Sequence, residues 1–397
     1  MSLSRRARSI SPSPTLAITA KAKEMKKSGI PVISFGAGEP DFDTPAEIKM
    51  AGSKAIKCGF TKYTPDSGII ELKEAVCQKF KEDNGLDYET SEILISCGAK
   101  HSLFNAIFAL CDEGDEVIIP SPYWVTYPEQ VKMTGARPVI VETFEGNDFK
   151  LTPAQFKENI TSHTKAIILN SPSNPTGSVY EPNELEGLAR VAVEAGVYII
   201  SDEIYEKLIY DGKRHISVAS LGKEIKDLTI TINGVSKAYS MTGWRIGYAA
   251  GPKDVIRAMS SIQSHTTSNP TSISQLAALE AIKGRQECVA EMVKEFNRRR
   301  KYIVDRLNKI RGISCITPYG AFYVFPNVES LLSMRFKGEE IKDSFRLSQV
   351  LLNEAHIAVV PGSAFGASNY LRLSYATSLE DIENGLDRIE KILEKLE

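Results

Sequence analysis

A lysine in a run of small residues is the side chain with the clearest chemical potential in this sequence. Lys237 lies between Ser236 and Ala238, just after the apolar segment TITING, and Arg245 follows eight residues later. A lysine at a buried strand end loses hydration, which lowers the pKa of its amine and exposes a nucleophile. The alternative is a hydrated surface lysine, the commoner situation for a lysine considered alone. The choice therefore depends on which other residues reach the same place.

Further polar and aromatic side chains follow segments that have the composition of buried strands. Asp202 comes just after the apolar run VYII, and an acid buried there needs a positively charged partner unless it caps the next helix. Tyr205 could donate its hydroxyl to an oxygen or pack in the core. Asn174 lies in the turn-forming segment SPSNPTG, and Trp124 offers a flat face for stacking or for core packing. Arg372 interrupts an apolar strand and either faces a carboxylate or lies outward on an edge strand.

Two groups of small residues are candidate backbone contacts for a ligand. Gly98 and Ala99 open an apolar helix after a strand, where free N–H groups and the helix dipole favour a phosphate. The same pattern also marks an ordinary tight turn between a strand and a helix. Gly36 and Gly38 follow a short strand, but no third glycine at the required spacing and no helix follow, which excludes the nicotinamide-binding fingerprint. We expect a glycine-lined turn near a ligand there.

The elements that would position these residues alternate along the chain. Strands are predicted over 92–96, 116–120, 138–142, 165–170, 197–201, 228–233 and 245–250, with helices between most of them. This alternation predicts an α/β fold with a mainly parallel, doubly wound sheet of about seven strands. Because ligands in such sheets lie beyond the carboxyl ends of the strands, the scattered candidates can converge on one site.

The two ends of the chain are predicted to form a second, smaller unit. We expect a large domain over residues 46–285 and a small α+β domain over 286–397, to which residues 1–45 contribute the N-terminal segment. A long helix near 286–311 is shared by both. The small domain is predicted to contain a strand pair around 313–326, a helix over 341–355, short strands over 357–360 and 370–375, and a terminal helix.

The composition excludes several classes of protein. Lys and Arg number 48 against 50 Asp and Glu, a balance that argues against binding to nucleic acid or a membrane surface. Six cysteines and five histidines are dispersed without metal-ligand spacing, so we expect reduced thiols and no metal site. No apolar run approaches the length of a membrane span. The N-terminal arginines, including Arg5 and Arg6, precede no apolar segment, so a cytoplasmic location is expected rather than export or organellar transit.

Taken together, the candidates match one cofactor. An amine nucleophile, an acid, a phenol, an aromatic face, a phosphate cradle and a carboxylate clamp suit pyridoxal 5'-phosphate. Its aldehyde requires a lysine, its pyridinium an acid, and its phosphate a helix N-terminus with an arginine and a serine.

The segments SPSNPTG, SDEIY and SKAYSMTGWRIGY, in this order, resemble those of class I aminotransferases of fold type I. The resemblance extends from about Ser4 to the C-terminus. It is strongest to the prokaryotic-type aspartate aminotransferase subgroup, through AGEPDFDTP, TKYTPDSGI, PSPYWVTYPE, VVPGSAF and RLSYATS. It implies a homodimer that uses pyridoxal 5'-phosphate, with cis peptide bonds before Pro122 and Pro175.

The resemblance also implies a role for each candidate on the cofactor side. Lys237 would be the Schiff-base and proton-transfer residue, Asp202 would keep the pyridine nitrogen protonated, and Tyr205 would bond the phenolic oxygen of the ring together with Asn174. Trp124 would stack on the ring. The phosphate would be held by Gly98, Ala99, Ser236 and Arg245, in the same loop as Lys100, with Tyr63 reaching in from the neighbouring subunit.

On the substrate side, the resemblance implies that two groups of residues bind two carboxylates. Arg372, the backbone of Gly38 and the amide of Asn174 would clamp the α-carboxylate, beside Trp124. Lys100, aided by the hydroxyls of Ser13 and Thr15, would bind the distal carboxylate of a dicarboxylic substrate. His101 follows Lys100 where glutamine is common in the family.

The expected reaction is ping-pong transamination of L-aspartate and 2-oxoglutarate to oxaloacetate and L-glutamate. Three alternatives stay open at this point: an aminotransferase for alanine or aromatic amino acids, one that also accepts prephenate, and a pyridoxal phosphate carbon–sulfur β-lyase on the same fold. Lys100 favours the dicarboxylic substrate, because one well-placed charge can dominate the choice between substrates.

Overall fold

Short runs rich in Ile, Val and Ala form the strands of the computed structural model, which describes residues 3–397 and, of Arg5 and Arg6, the backbone alone. The strands are β1 (Ile33–Ser34), β2 (Ile93–Ser96), β3 (Glu116–Ser121), β4 (Arg137–Glu142), β5 (Thr164–Asn170), β6 (Tyr198–Asp202), β7 (Thr229–Gly234), β8 (Gly247–Ala250), β9 (Tyr323–Val324), β10 (Arg335–Phe336), β11 (Glu339–Glu340), β12 (Ile357–Ala358), β13 (Val360–Pro361) and β14 (Leu371–Ser374).

Amphipathic segments between the strands form the helices. They are α1 (Arg5–Ser9), α2 (Pro14–Lys27), α3 (Ala46–Lys57), α4 (Ile70–Asn84), α5 (Ala99–Leu110), α6 (Thr126–Thr134), α7 (Pro153–Glu158), α8 (Pro182–Ala195), α9 (Lys223–Lys226), α10 (Lys253–Thr266), α11 (Ser272–Lys283), α12 (Glu287–Leu307), α13 (Ser344–Val350) and α14 (Leu379–Leu393). None of these described helices is both long and apolar enough to cross a membrane.

The predicted α/β sheet is confirmed. Seven strands pair in the order β2-β8-β7-β6-β5-β3-β4, and all neighbours are parallel except β8, which runs antiparallel to both β2 and β7. The strands are nearly continuous apolar runs because helices cover both faces. On one face, Leu103 of α5 and Met259 of α10 pack against the sheet, and on the other face Leu188 of α8 and Phe156 of α7 do so.

Both ends of the chain contribute to a second hydrophobic core. Phe35, which follows β1, packs with residues of α12, β9, β14 and α14 in one cluster. β1 pairs with β12 in parallel, and β13, β14 and β9 form a three-stranded antiparallel sheet. This packing is compatible with the predicted small domain, whose boundaries at residues 45 and 286 remain predictions.

Three details differ from the sequence-based predictions. Of the strand pair predicted around 313–326, only β9 forms, because side chains bond the backbone groups that the other strand would use. Asn308 accepts the Cys315 N–H at 2.9 Å, and Arg300 donates to the Pro318 carbonyl at 2.8 Å. The helix predicted over 341–355 begins only at Ser344, where the Asp343 side chain caps it, and its last turn widens into a π-helix. The cis bonds precede Pro122 and Pro172, so the prediction for Pro175 is wrong.

Candidate active site

A cavity of about 420 Å³ opens at the carboxyl ends of β5, β6 and β7, between the first turn of α5 and the N-terminal helix α2. Tyr63 lies elsewhere, with its side chain 91% exposed, and Gly98 lies directly behind the cavity wall, against the Arg245 guanidinium. The other residues predicted to bind cofactor or substrate all line the cavity: Ser13, Thr15, Gly38, Ala99, Lys100, Trp124, Asn174, Asp202, Tyr205, Ser236, Lys237, Arg245 and Arg372.

Lys237 follows β7 and presents its amine to the cavity. Its Nζ donates a hydrogen bond to the carbonyl oxygen of Gly38 at 2.5 Å. Burial is the main reason that the pKa of this amine is lowered to about 8. The positive charges of Arg372 and Arg245 also lower the pKa, whereas the nearby Glu39 carboxylate raises it. About a tenth of the amine is therefore unprotonated at pH 7, far more than for an ordinary lysine, and the unprotonated form is the one that a nucleophile or a general base requires.

Asp202 ends β6 and is buried at the base of the cavity. Burial raises the pKa of its carboxyl to about 6, although hydrogen bonds from Tyr127 and from the Ile204 N–H oppose that rise. The Tyr127 hydroxyl donates at 2.7 Å. Sequence reasoning missed Tyr127; the signal available was its position three residues after Trp124, which places both rings on one face of a helical turn. A carboxylate held this way is suited to a cationic ring nitrogen.

In the cofactor-free protein, we expect Asp202 to make stability fall as the pH rises from about 4 to about 6. An unfolded aspartate has a pKa of about 3.9, whereas Asp202 in the fold has a pKa of about 6. Between these values the folded protein keeps a proton that the unfolded chain releases, so unfolding is increasingly favoured, by about 2–3 kcal/mol in total. Asp202→Asn removes the titration. Urea unfolding of both cofactor-free proteins at pH 4 and pH 7 checks this, and equal pH dependence in the two would contradict it.

Arg372 and Asn174 meet on the opposite wall of the cavity. The buried guanidinium of Arg372 donates to Asn174 Oδ1 at 3.1 Å and to the Gly36 carbonyl at 2.8 Å, and its Nε has no hydrogen-bond partner among the described residues. Burial lowers its pKa from the usual high value, although the group stays cationic. A buried guanidinium with unused donors is suited to a carboxylate that enters the cavity.

Tyr323 joins the two sides of the site, and sequence reasoning did not identify it. Its hydroxyl lies 2.9 Å from the Tyr205 hydroxyl, and its ring lies under the Arg372 guanidinium, 4.5 Å from centroid to carbon. Burial raises the pKa of Tyr205 well above the usual value, so its hydroxyl stays protonated and can donate. Nothing in the segment GAFYVF signals this role, because it depends on packing against a residue 118 positions away.

The start of α5 and the side chain of Arg245 form a basic concave wall. Gly98 has a φ of +87°, and a side chain at this position would collide with the Arg245 guanidinium. That guanidinium donates to the carbonyls of Thr242 at 2.8 Å and Cys97 at 3.3 Å, which fixes it beside the helix N-terminus. Free N–H groups, a helix dipole and a fixed cation are suited to phosphate.

Lys100 and the start of α2 form another part of the cavity wall. The Lys100 amine lies 4.9 Å from the centre of a Trp124 ring, and its backbone carbonyl accepts a hydrogen bond from Gln130 at 2.9 Å. Partial burial, and then the charge of Arg245, lower the pKa of Lys100. The hydroxyls of Ser13 and Thr15 lie 2.9 Å apart on the same cavity. The structure therefore brings together the three residues predicted for a distal carboxylate.

The turn after β6 is held from behind by two buried carboxylates. Glu203 hydrogen-bonds with His215 Nε2 at 2.9 Å and accepts from two serine hydroxyls. Burial raises the pKa of Glu206, but the charges of Lys79 and His215 and the hydrogen bonds from Lys79 and Asn84 together lower it to about 2. Although these carboxylates and His215 lie within 4.8 Å of one another, protein donors already bond both carboxylates. We interpret the cluster as the support that fixes the orientation of the turn.

Comparison with known proteins places the chain in a family. The family model described as aminotransferase class I and II matches residues 30–389. The chain belongs to this family. It is 54% identical over 394 residues to the aspartate aminotransferase of Geobacillus stearothermophilus, covering 99% of both chains. It is 48% identical to a probable aspartate/prephenate aminotransferase of Aquifex aeolicus, with 99% of both covered. The crystal structure of the Rhizobium meliloti aspartate aminotransferase matches with a TM-score of 0.96 and 45% identity over the whole of both chains.

Aminotransferases of this family depend on pyridoxal 5'-phosphate, as the sequence predicts. The residues around the cavity fit the cofactor. The amine of Lys237 faces the buried carboxylate of Asp202 across the cavity, and the basic wall at Gly98 and Arg245 leaves no room for a side chain. The fold type I architecture, with its central seven-stranded sheet, is likewise confirmed by the match to these enzymes.

Proposed function

We propose that the protein transfers the amino group of L-aspartate to 2-oxoglutarate, giving oxaloacetate and L-glutamate in two half-reactions of a ping-pong cycle. The observation that carries this proposal is the presence of two separate cations, Arg372 and Lys100, in the cavity that also holds Lys237. Two cations at a distance from each other suit a substrate with two carboxylates. The names of the relatives, aspartate aminotransferases, support the same substrate.

The cofactor would be held by residues on three sides of the cavity. Asp202 would bond the pyridine nitrogen, and Tyr205 and Asn174 would bond the phenolic oxygen. Trp124 would cover one face of the ring. Gly98, Ala99, Ser236 and Arg245 would hold the phosphate, in the loop that also contains Lys100. When bound, pyridoxal 5'-phosphate supplies the electron sink and carries the amino group between the two half-reactions.

Lys237 would have two tasks in each half-reaction. Its amine, with a pKa lowered to about 8, would first bind the cofactor covalently. Once substrate has displaced it, the same amine would take the proton from the substrate α-carbon. It would then deliver that proton to the cofactor side, which completes the transfer of the amino group. The hydrogen bond to the Gly38 carbonyl gives the free amine a position within the cavity. General base catalysis of this kind contributes about 10²–10⁴-fold to a rate.

Arg372 and Lys100 would orient the substrate at its two ends. Arg372, Asn174 and the Gly38 backbone would hold the α-carboxylate that every amino acid carries, whereas Lys100, Ser13 and Thr15 would bind the distal carboxylate. Two fixed points determine the direction of the α-hydrogen, and such positioning is a large part of enzymatic rate enhancement.

Lys100→Ala tests this assignment of the distal carboxylate. We expect the KM for aspartate and glutamate to rise about tenfold, because one charged hydrogen bond is lost, while the KM for alanine stays within about twofold. Steady-state kinetics with the three donors measures the effect, and Lys100→Arg, which keeps the charge, is the matched control. A uniform loss for alanine and aspartate would instead assign Lys100 to the phosphate.

Prephenate is a second candidate acceptor, because relatives of 45–48% identity are named for both aspartate and prephenate. Amino transfer to prephenate from the aspartate-loaded enzyme would establish it. The β-lyase alternative predicts release of pyruvate from cystathionine without accumulation of the aminated cofactor. A pyruvate assay with cystathionine, followed together with the absorption spectrum of the cofactor, would detect it.

The proposal includes a homodimer in which Tyr63 reaches the phosphate of the neighbouring site, in a cytoplasmic enzyme. Tyr63 is 91% exposed, yet its loop is fixed by two buried glutamines. Gln263 donates to the Asp66 carbonyl at 2.6 Å, and Gln275 accepts the Ile69 N–H at 2.8 Å. A rigid loop with an exposed ring is suited to contacts with a second copy. A monomer in solution with full cofactor affinity would contradict this part of the proposal.

A further inference from the structure

One basic residue that lines the cavity has no role in the proposed reaction. Five basic and two acidic side chains line it: Lys23, Lys100, Lys237, Arg245 and Arg372, against Glu39 and Asp202. The phosphate, the α-carboxylate, the covalent bond to the cofactor and one distal carboxylate account for four of the five cations. Asp202 faces the pyridine nitrogen, and Glu39 accepts a hydrogen bond from the Thr242 hydroxyl at 2.8 Å. Lys23 is the cation that remains.

The position of Lys23 on α2 is set by the helical repeat. Thr15, Thr19 and Lys23 are four residues apart, so they lie along one face, and all three line the cavity. Ile18 and Ala22, beside that stripe, pack into the core below α2, which fixes the rotation of the helix. The rise of 1.5 Å per residue places Lys23 about 12 Å along the axis from Thr15.

Lys23 also has no acidic partner among the described residues. It is exposed, and no acidic side chain among the described residues forms an ion pair or hydrogen bond with it. The contrast is Lys21, which pairs with Glu24 at 3.0 Å, does not line the cavity and lies about 160° away around the helix. Between the two hydroxyls and Lys23, Leu16 also lines the cavity, with its side chain 67% exposed. An apolar side chain followed by a cation is suited to a methylene chain that ends in a carboxylate.

We propose that Lys23 is a specificity-determining residue, an outer cation that binds the distal carboxylate of dicarboxylic substrates longer than aspartate. Lys100 would bind the nearer carboxylate of a four-carbon acid, and Lys23 would bind the carboxylate of a five- or six-carbon acid. This inference rests on the proposed function, since it takes Arg372 as the fixed point for the other end of the substrate. A charge at this position also attracts dianions to the cavity, an effect that salt screens.

Equilibrium binding to the pyridoxal phosphate-loaded enzyme tests the inference without turnover. Succinate, adipate and hexanoate are titrated against wild type, Lys23→Gln and Lys21→Gln, and binding is followed by the absorbance change of the bound cofactor. For Lys23→Gln we expect the Kd of adipate to rise about three- to fivefold, as for a partly hydrated ion pair. The Kd of succinate should change less than twofold and that of hexanoate should not change. The effect on adipate should shrink at about 0.5 M salt.

Four results would overturn it. An unchanged adipate Kd in Lys23→Gln, or an equal rise for adipate and hexanoate, would remove Lys23 from recognition of the carboxylate. An equal loss in Lys21→Gln would reduce the effect to the general charge of α2. If wild type bound succinate no more tightly than hexanoate, the dicarboxylate preference itself would fail, and the proposed function would fail with it. If wild type prefers dicarboxylates and Lys23→Gln does not differ, only the inference about Lys23 fails.

Discussion

Lys237→Ala is expected to lower kcat for every amino donor by about 10⁴-fold or more, because one substitution removes both the covalent anchor and the general base. The protein should still bind pyridoxal 5'-phosphate, since Asp202 and the basic wall at Gly98 and Arg245 remain. Its visible spectrum should therefore change to that of the free aldehyde. Single-turnover kinetics with aspartate and absorption spectra of the purified variant measure the two effects.

The matched control for this variant is Lys237→Arg, which keeps a cation in the cavity but cannot form the covalent bond or act as a base at neutral pH. It should lose activity as severely as the alanine variant. A Lys237→Ala protein whose spectrum matches the wild type would show that another amine holds the cofactor, and the assignment of Lys237 would be wrong.

Arg372→Ala is expected to lower kcat/KM about 10²–10³-fold for aspartate, alanine and aromatic donors alike. The guanidinium is buried and would give up to two charged hydrogen bonds to a group that all of these substrates share, which is worth about 3–4 kcal/mol. Most of the loss should be in KM, because the α-carboxylate is present in the ground state as well as in the transition state.

Arg372→Lys controls for charge alone and should recover only part of the loss, because an ammonium cannot make the paired contacts of a guanidinium. Cofactor spectra of both variants should stay as in the wild type if the substitutions leave the cofactor side intact. A loss confined to aspartate would mean that Arg372 binds the distal carboxylate, and the proposed orientation of the substrate would have to be reversed.

The convergence of the cofactor-side residues was predictable because it follows from one rule of sheet geometry. Lys237, Asp202 and Asn174 each lie at or after the end of a parallel strand, and such ends share one edge of a sheet. Strand periodicity and apolar runs are local, so they can be recognised without tertiary information. The residues that arrive from outside the sheet could not be placed this way. The N-terminal hydroxyls were assigned by resemblance alone, and the strand context of Arg372 left a carboxylate-binding and an outward position open until the resemblance decided between them.

Residues whose role depends on a single tertiary contact were not predictable. Tyr127 donates a hydrogen bond to the carboxylate of Asp202, 75 positions away. The hydroxyl of Tyr323 forms a hydrogen bond with that of Tyr205, 118 positions away. The strand pair predicted around 313–326 was placed poorly for a related reason, whereas the predicted strands over 357–360 and 370–375 are confirmed. Strands of two residues carry no periodicity, and side chains such as Asn308 compete for the backbone groups that a longer ladder would use.

The absorption spectrum of the purified enzyme during titration with amino donors tests the central claim most directly. We expect a yellow protein that L-aspartate converts to the pyridoxamine form at a lower concentration than L-alanine or L-phenylalanine does, because Lys100 and Arg372 together hold a dicarboxylic substrate. A yellow protein that responds to alanine or phenylalanine but ignores aspartate would contradict the proposed specificity. A colourless protein that pyridoxal 5'-phosphate cannot reconstitute would contradict the account of the site as a whole.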